Sequence, residues 1–171
     1  MTKSIKALIL LIVFTFLGYL VYSVIAKIEH KSKVAKTLQT IPEISFKTLE
    51  NNIFTNKNLK PNTAIVFIYF NSECDFCQHE AQNISDNIAQ FKDVQLLFVS
   101  TENIETIEAF AETYNLLSKL QITFLHDSTH TFSTRFDANS IPYLLIYNSN
   151  QELVKKHKGQ LKTEAILKLL K

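Results

Sequence analysis

Cys74 and Cys77 are the two cysteines of this 171-residue chain, and the run Cys74-Asp75-Phe76-Cys77 follows directly on the apolar segment Ala64-Ile65-Val66-Phe67-Ile68-Tyr69-Phe70. Two thiols three positions apart, where a strand ends and a helix can begin, suit dithiol/disulfide exchange: one sulfur attacks a partner's disulfide and the other resolves the mixed disulfide. A structural staple is a weaker reading, because closing so short a loop constrains the unfolded chain by only roughly 2 kcal/mol. A zinc site needs a fourth ligand beyond Cys74, Cys77 and His79, and no second pair with ligand spacing follows. Inert thiols buried in a helix are the remaining alternative, since cysteine is among the most buried residue types. The spacing favours redox use, with neither cofactor nor metal required.

Elements of alternating type must position the pair. Ile44 to Leu49 and Ile53 to Thr55 flank Glu50-Asn51-Asn52 and predict a short hairpin. Ala64 to Phe70 predicts a strand covered on both faces. Cys77, Ala81, Ile84, Ile88 and Phe91 recur at helical intervals, which places Cys74 at that helix's start. Val94 to Val99 and Ile122 to Leu125 predict strands around a helix at Ile104 to Tyr114, and Phe132 to Phe136 a short helix. Tyr143 to Tyr147 and Glu152 to Lys158 form a second hairpin through Asn148-Ser149-Asn150-Gln151, and Thr163 to Leu170 closes the chain as a helix. The expected class is α/β, a central mixed sheet flanked by helices and preceded by an N-terminal hairpin.

Composition narrows the function. The chain is 46% hydrophobic with net charge +2 and its signs interleaved, which gives nucleic-acid binding no support. A basic arm at 1–6 precedes twenty uncharged residues, Ala7 to Ala26, enough to cross a bilayer as a helix. That run exceeds the apolar core of a secretory signal peptide, so an uncleaved single transmembrane helix at 7–26 is expected rather than cleavage after Val24-Ile25-Ala26. A lysine-rich polar linker, 27–43, leads to the globular domain, 44–171. The lysines after the span, counted literally, point the domain to the cytoplasm. Disulfide chemistry argues for the opposite, extracytoplasmic (periplasmic) side, and that placement is the expectation.

With these elements laid out, the chain from Phe46 onward resembles the thioredoxin-like superfamily, in particular the membrane-anchored TlpA/ResA-type (redoxin, AhpC/TSA-related) thiol-disulfide oxidoreductases. The resemblance is carried by Phe46-Lys47-Thr48-Leu49 with the Asn51-Asn52 turn, the strand Ile65 to Phe70, the pair Cys74 and Cys77, and Ile141-Pro142 ahead of a strand. It implies that Cys74 is the exposed nucleophile and Cys77 the buried resolving thiol. It also implies a cis Ile141-Pro142 peptide facing the disulfide, with the Ile141 backbone available to a bound partner. The implied partners are a disulfide-bearing protein client and a membrane thiol-transfer electron donor.

Departures from that pattern are informative. Glu73 stands where relatives carry an aromatic residue, Asp75-Phe76 replaces a dipeptide that often contains Pro, and Ile68 occupies the strand position of the buried acid of thioredoxins. Glu73, Asp75 and Glu80 bring negative charge toward Cys74, which opposes thiolate formation. A couple leaning toward the reductant follows, with Glu73, Asp75 and Phe76 as redox-tuning residues. Helix N-terminal charge compensation explains the same acids equally well. Phe67 and Asn71 stand where peroxiredoxins carry Pro and Thr or Ser, which argues against a peroxidase.

Alternatives from other classes are a copper or zinc handling protein using the cysteine pair with a histidine, and a non-catalytic membrane-tethered assembly module. His126 and His130 are four apart, but Asp127-Ser128-Thr129 favours a loop between them. Asn83-Ile84-Ser85 matches a glycosylation sequon inside an expected helix and is taken as chance.

Overall fold

The computed structural model describes residues 3–170; the first two residues of the basic arm at 1–6 and the last residue of the chain lie outside them. It divides into two units, Met1–Thr37 and Leu38–Lys171. The first is one helix, α1 (Lys3–Thr37), which contains the uncharged run Ala7 to Ala26 and continues through the lysine-rich segment. Side chains along the run, among them Phe14, Phe16, Tyr19 and Tyr22, are exposed. Among the described residues no helix is long and apolar enough to cross a membrane.

The second unit is built on one seven-stranded sheet in the order β2-β1-β5-β4-β3-β6-β7. Its strands are β1 (Ser45–Thr48), β2 (Ile53–Thr55), β3 (Ala64–Tyr69), β4 (Val94–Ser100), β5 (Ile122–His126), β6 (Tyr143–Tyr147) and β7 (Leu153–Lys158). β3, β4 and β5 run parallel, as crossovers through helices require; the remaining pairs are antiparallel. The N-terminal hairpin is part of this sheet, since β1 pairs with β5 through Lys47 and His126. Asn51 turns the hairpin with φ 61°, a conformation Asn tolerates better than most residues.

Burial explains why β3 is an unbroken apolar run. Val66, Ile68 and Phe70 pack on one face with Cys77, Ala81 and Ile84 of α2 (Asp75–Asp86), Ile107 and Phe110 of α3 (Ile104–Thr113), and Ile166 of α5 (Thr163–Leu169). On the other face the Phe67 ring lies 5.9 Å from Phe132, within α4 (Thr131–Arg135), 5.4 Å from Phe136, which caps that helix, and 6.0 Å from Tyr147. Each fully buried apolar side chain of this kind contributes roughly 1.5–3 kcal/mol.

Two boundaries differ from the sequence reading. The stripe ending at Ile88 and Phe91 is not one helix: α2 stops at Asp86, Asn87 caps it, and 88–91 forms a 3₁₀ turn that still buries Phe91. Leu38 and Ile41, inside the segment read as linker, are buried; the Leu153 N–H bonds to the Gln39 carbonyl at 2.9 Å, so the core begins before residue 44. At the sheet margins, β2 has three residues, and β7 presents Lys155, Lys156 and Lys158.

Candidate active site

The parallel strands deliver the site. β3 ends at Tyr69, and the chain reaches Cys74 across a loop in which the Cys74 N–H bonds to the Asn71 carbonyl at 3.3 Å and the Glu73 N–H to Asn71 Oδ1 at 3.0 Å. Cys74 is the N-cap of α2: its backbone is extended, its carbonyl accepts from the N–H groups of Cys77 and Gln78, and its Sγ accepts from the Cys77 N–H at 3.4 Å. The Cys77 N–H is thus shared between the Cys74 carbonyl and its sulfur, and the sulfur stands at the positive end of the helix.

The two cysteines differ in surroundings. Cys74 is half-buried and Cys77 is buried, both as free thiols. Burial first, and then the hydrogen bond with Cys74, hold the Cys77 thiol far above its usual range; the Glu80 charge acts in the same direction. Cys77 is therefore a protonated thiol at neutral pH.

Glu80 lies one helical turn beyond Cys77 and is 1% exposed. Its Oε2 accepts from the Leu161 N–H at 2.6 Å, whereas Oε1 is buried without a partner. Burial pushes this carboxyl up to about 7 against the opposing effect of the Leu161 bond. The sequence reading counted Glu80 only as a negative charge near Cys74. Its place on the apolar stripe, between Cys77 and Ala81, was the available signal that it points inward. Ile68 does leave the strand side of the site without an acid, but the helix side supplies one.

Glu73, Asp75 and Phe76 lie on the exposed rim, with Phe76 63% exposed. Ile141-Pro142 is a cis peptide. Tyr69 of β3 is in register with Tyr143 of β6, which sets Pro142 at the end of the sheet where β3 leads to Cys74. Ile141 is 39% exposed, Pro142 is buried, and the Pro142 carbonyl accepts from the Gly159 N–H at 2.8 Å. The Ile141 backbone and side chain thus border the cysteine end of the sheet.

The other polar candidates separate from this site. His126 ends β5 and His130 sits in a left-handed turn before α4, so the two do not share a helical face. Asn83 Oδ1 accepts from the Thr163 N–H at 2.9 Å and its hydroxyl at 2.8 Å, tying α2 to α5. Among the described residues no group of three or more His, Cys, Asp or Glu side chains is placed to hold a metal ion. Sequence reasoning missed Ser72, Gln78 and Glu102, which hold the loop before Cys74: Ser72 donates to Glu102 from its N–H at 2.8 Å and its hydroxyl at 2.6 Å, and Gln78 Nε2 donates to the Ser72 carbonyl at 2.8 Å. No short-range signal links residues thirty positions apart.

Comparison with known proteins follows the same lines. Residues 37–157 match the AhpC/TSA family. No curated protein is matched by sequence. Among solved structures, a secreted Mycobacterium tuberculosis disulfide oxidoreductase homologous to E. coli DsbE is similar with TM-score 0.62 and 20% identity, covering 78% of this chain and 96% of that one. StoA from Bacillus subtilis gives TM-score 0.60 and 18% identity, over 77% and 98%. A thioredoxin-like protein from Aeropyrum pernix gives 0.61 and 12%, over 84% and 94%. Likeness at these identities establishes the thioredoxin-like α/β fold.

Proposed function

The chain belongs to the AhpC/TSA family, and on that premise we propose that it is a thiol-disulfide oxidoreductase working through Cys74 and Cys77. The observation that carries this reading is the asymmetry of the pair: a half-buried sulfur at a helix N-cap, hydrogen-bonded to a buried thiol kept protonated. The Cys74 thiolate attacks a client disulfide, forming a mixed disulfide and releasing one client thiolate, which takes a proton from water. Cys77 then gives its proton to Glu80 and attacks Cys74 Sγ. The second client sulfur leaves as a thiolate and takes a proton from water, and two electrons have passed to the client as the Cys74–Cys77 disulfide forms. Glu80 is suited to that proton because its own affinity is raised into the neutral range. Ile141 and Phe76, exposed beside the sulfur, are the surfaces on which a client chain rests.

The direction proposed is reduction of clients. Raising the thiol pKa of Cys77 disfavours the reduced, ionised form, and the acids Glu73 and Asp75 add negative charge at the rim. Titration of the full-length chain against glutathione and dithiothreitol buffers is expected to give a potential on the thioredoxin side; a value near that of the strong periplasmic oxidants overturns this direction. We further place the domain outside the cytoplasm on an anchor formed by Ala7 to Ala26, which rests on the uncharged run in the full sequence and on its helical backbone. Alkaline extraction of membranes should leave the chain in the pellet, and its complete release would remove the anchor.

The decisive test is trapping. Cys77→Ala should accumulate mixed disulfides between Cys74 and extracytoplasmic proteins, resolved by dithiothreitol, whereas Cys74→Ala should give none. Equal recovery of adducts from both variants, or from neither, defeats the reading.

A further inference from the structure

The loop that presents Cys74 lacks the usual sources of rigidity: no proline lies within Cys74-Asp75-Phe76-Cys77, and Asn71-Ser72-Glu73 contains neither an aromatic residue nor proline. Adjacent parallel strands supply a substitute. Tyr69 is in register with Val99, and the Phe70 N–H bonds to the Val99 carbonyl at 3.0 Å. The two chain segments therefore leave the sheet side by side, and Glu102, two residues beyond β4, meets Ser72, two residues before Cys74. The Glu102 carboxylate accepts from both the N–H and the hydroxyl of Ser72, and Oε2 also accepts from Ser100 Oγ at 3.1 Å. Ser100 is fully buried and in turn accepts from the Glu102 N–H at 3.2 Å, so the carboxylate is itself fixed. From the helix side, Gln78 takes the remaining Ser72 carbonyl.

We propose that Glu102 is a positioning residue for the reaction: by gripping Ser72 at two atoms it holds Cys74 at the N-cap of α2, where the Cys77 N–H reaches the sulfur. This rests on the thiol-disulfide reading given above. Bonds to a carboxylate are about twice as strong as neutral ones, and two of them on one residue fix its orientation as well as its place. Release of the grip lets Cys74 leave the cap and its sulfur lose the bond from the Cys77 N–H.

The test uses the full-length chain with three substitutions, Glu102→Ala, Glu102→Gln and Ser72→Ala, and two readouts. Alkylation of Cys74 by iodoacetamide, in a Cys77→Ala background at fixed pH, should slow about threefold or more in Glu102→Ala as the sulfur leaves the backbone N–H at the helix end. Removal of a negative charge alone would speed it, so the sign separates positioning from simple electrostatics. Disulfide exchange with a protein substrate, per folded molecule, should fall about tenfold to a hundredfold, less in Ser72→Ala, with Glu102→Gln between. Glu102→Ala combined with Ser72→Ala should be no worse than Glu102→Ala alone, because both remove one grip. Alkylation at or above the parent rate, or additive losses in the double variant, overturns the inference. Ser72→Ala and Glu102→Gln decide the matter if Glu102→Ala does not fold. A parent chain that exchanges no disulfides refutes the proposed function instead, and the alkylation arm still judges Glu102.

Discussion

Two carboxylic acids are buried to the same degree in this molecule, and their surroundings are opposite. Asp127, at the turn after β5, is 1% exposed and has both oxygens occupied: Oδ2 takes the Phe132 N–H at 2.7 Å, and Oδ1 takes the Thr129 and Thr131 hydroxyls at 3.1 Å each. Glu80, also 1% exposed, has one oxygen on the Leu161 N–H and the other on nothing. A buried carboxylate with all its partners present fastens one segment to another; one left half-satisfied sits above its ordinary proton affinity and is free to exchange a proton. Asp127 is the structural case, since it fixes α4 and with it the Phe132 and Phe136 rings over Phe67. Glu80, one helical turn from Cys77, is the acid to which the proposed reaction hands a proton.

That contrast can be broken most forcefully at Asp127. Asp127→Ala strands the buried Phe132 N–H and removes the carboxylate that two threonine hydroxyls bond, and chemical denaturation should record a loss on the order of 4 kcal/mol; disulfide exchange per folded molecule should not change. A stable variant with impaired exchange would reverse the assignments of the two acids.

The next largest effect is a pH dependence carried by Glu80. Its carboxyl is raised from 4.5 to about 7 in the folded chain, so the native state holds a proton that the unfolded state releases between those values. Its stabilising contribution is complete below 4.5 and is lost as pH rises through about 7. The stability difference between Glu80→Gln and the parent should therefore shift by about 3 kcal/mol in favour of the variant from pH 4 to pH 8. A difference that stays constant across that range would show that Glu80 titrates as an exposed acid.

The smallest expected effect is kinetic. In Glu80→Gln, resolution of the mixed disulfide should slow about tenfold, seen as longer-lived adducts on Cys74 with an unchanged rate of their formation. Equal lifetimes would take Glu80 out of the reaction and leave the Glu102 grip and the helix N-cap as the means by which the fold acts on the pair.

The helices and strands around the site were legible because each is a local pattern. The apolar run Ala64 to Phe70 marks a strand buried on both faces, the interval from Cys77 to Ile84 marks a helix face, and Tyr143 to Tyr147 coincides with β6. Ile141-Pro142 was legible only through resemblance to a family. What local pattern cannot carry is which side chains from distant segments meet. Glu102 gripping Ser72, Leu161 bonding Glu80, and Leu38 entering the core each depend on strand order and register. The early end of α2 was unreadable for another reason: Asn87 caps it with its own geometry while the apolar period runs on to Phe91.

The two margins of the sheet bear on which molecules this protein can meet without harm. One margin is only three residues long, and the other is studded with lysines and partly occupied by the Gln39 segment. A half-folded chain seeking a neighbour for its unpaired backbone finds no long, neutral ribbon to zip onto at either side. Edge-to-edge association with such chains is disfavoured at both margins.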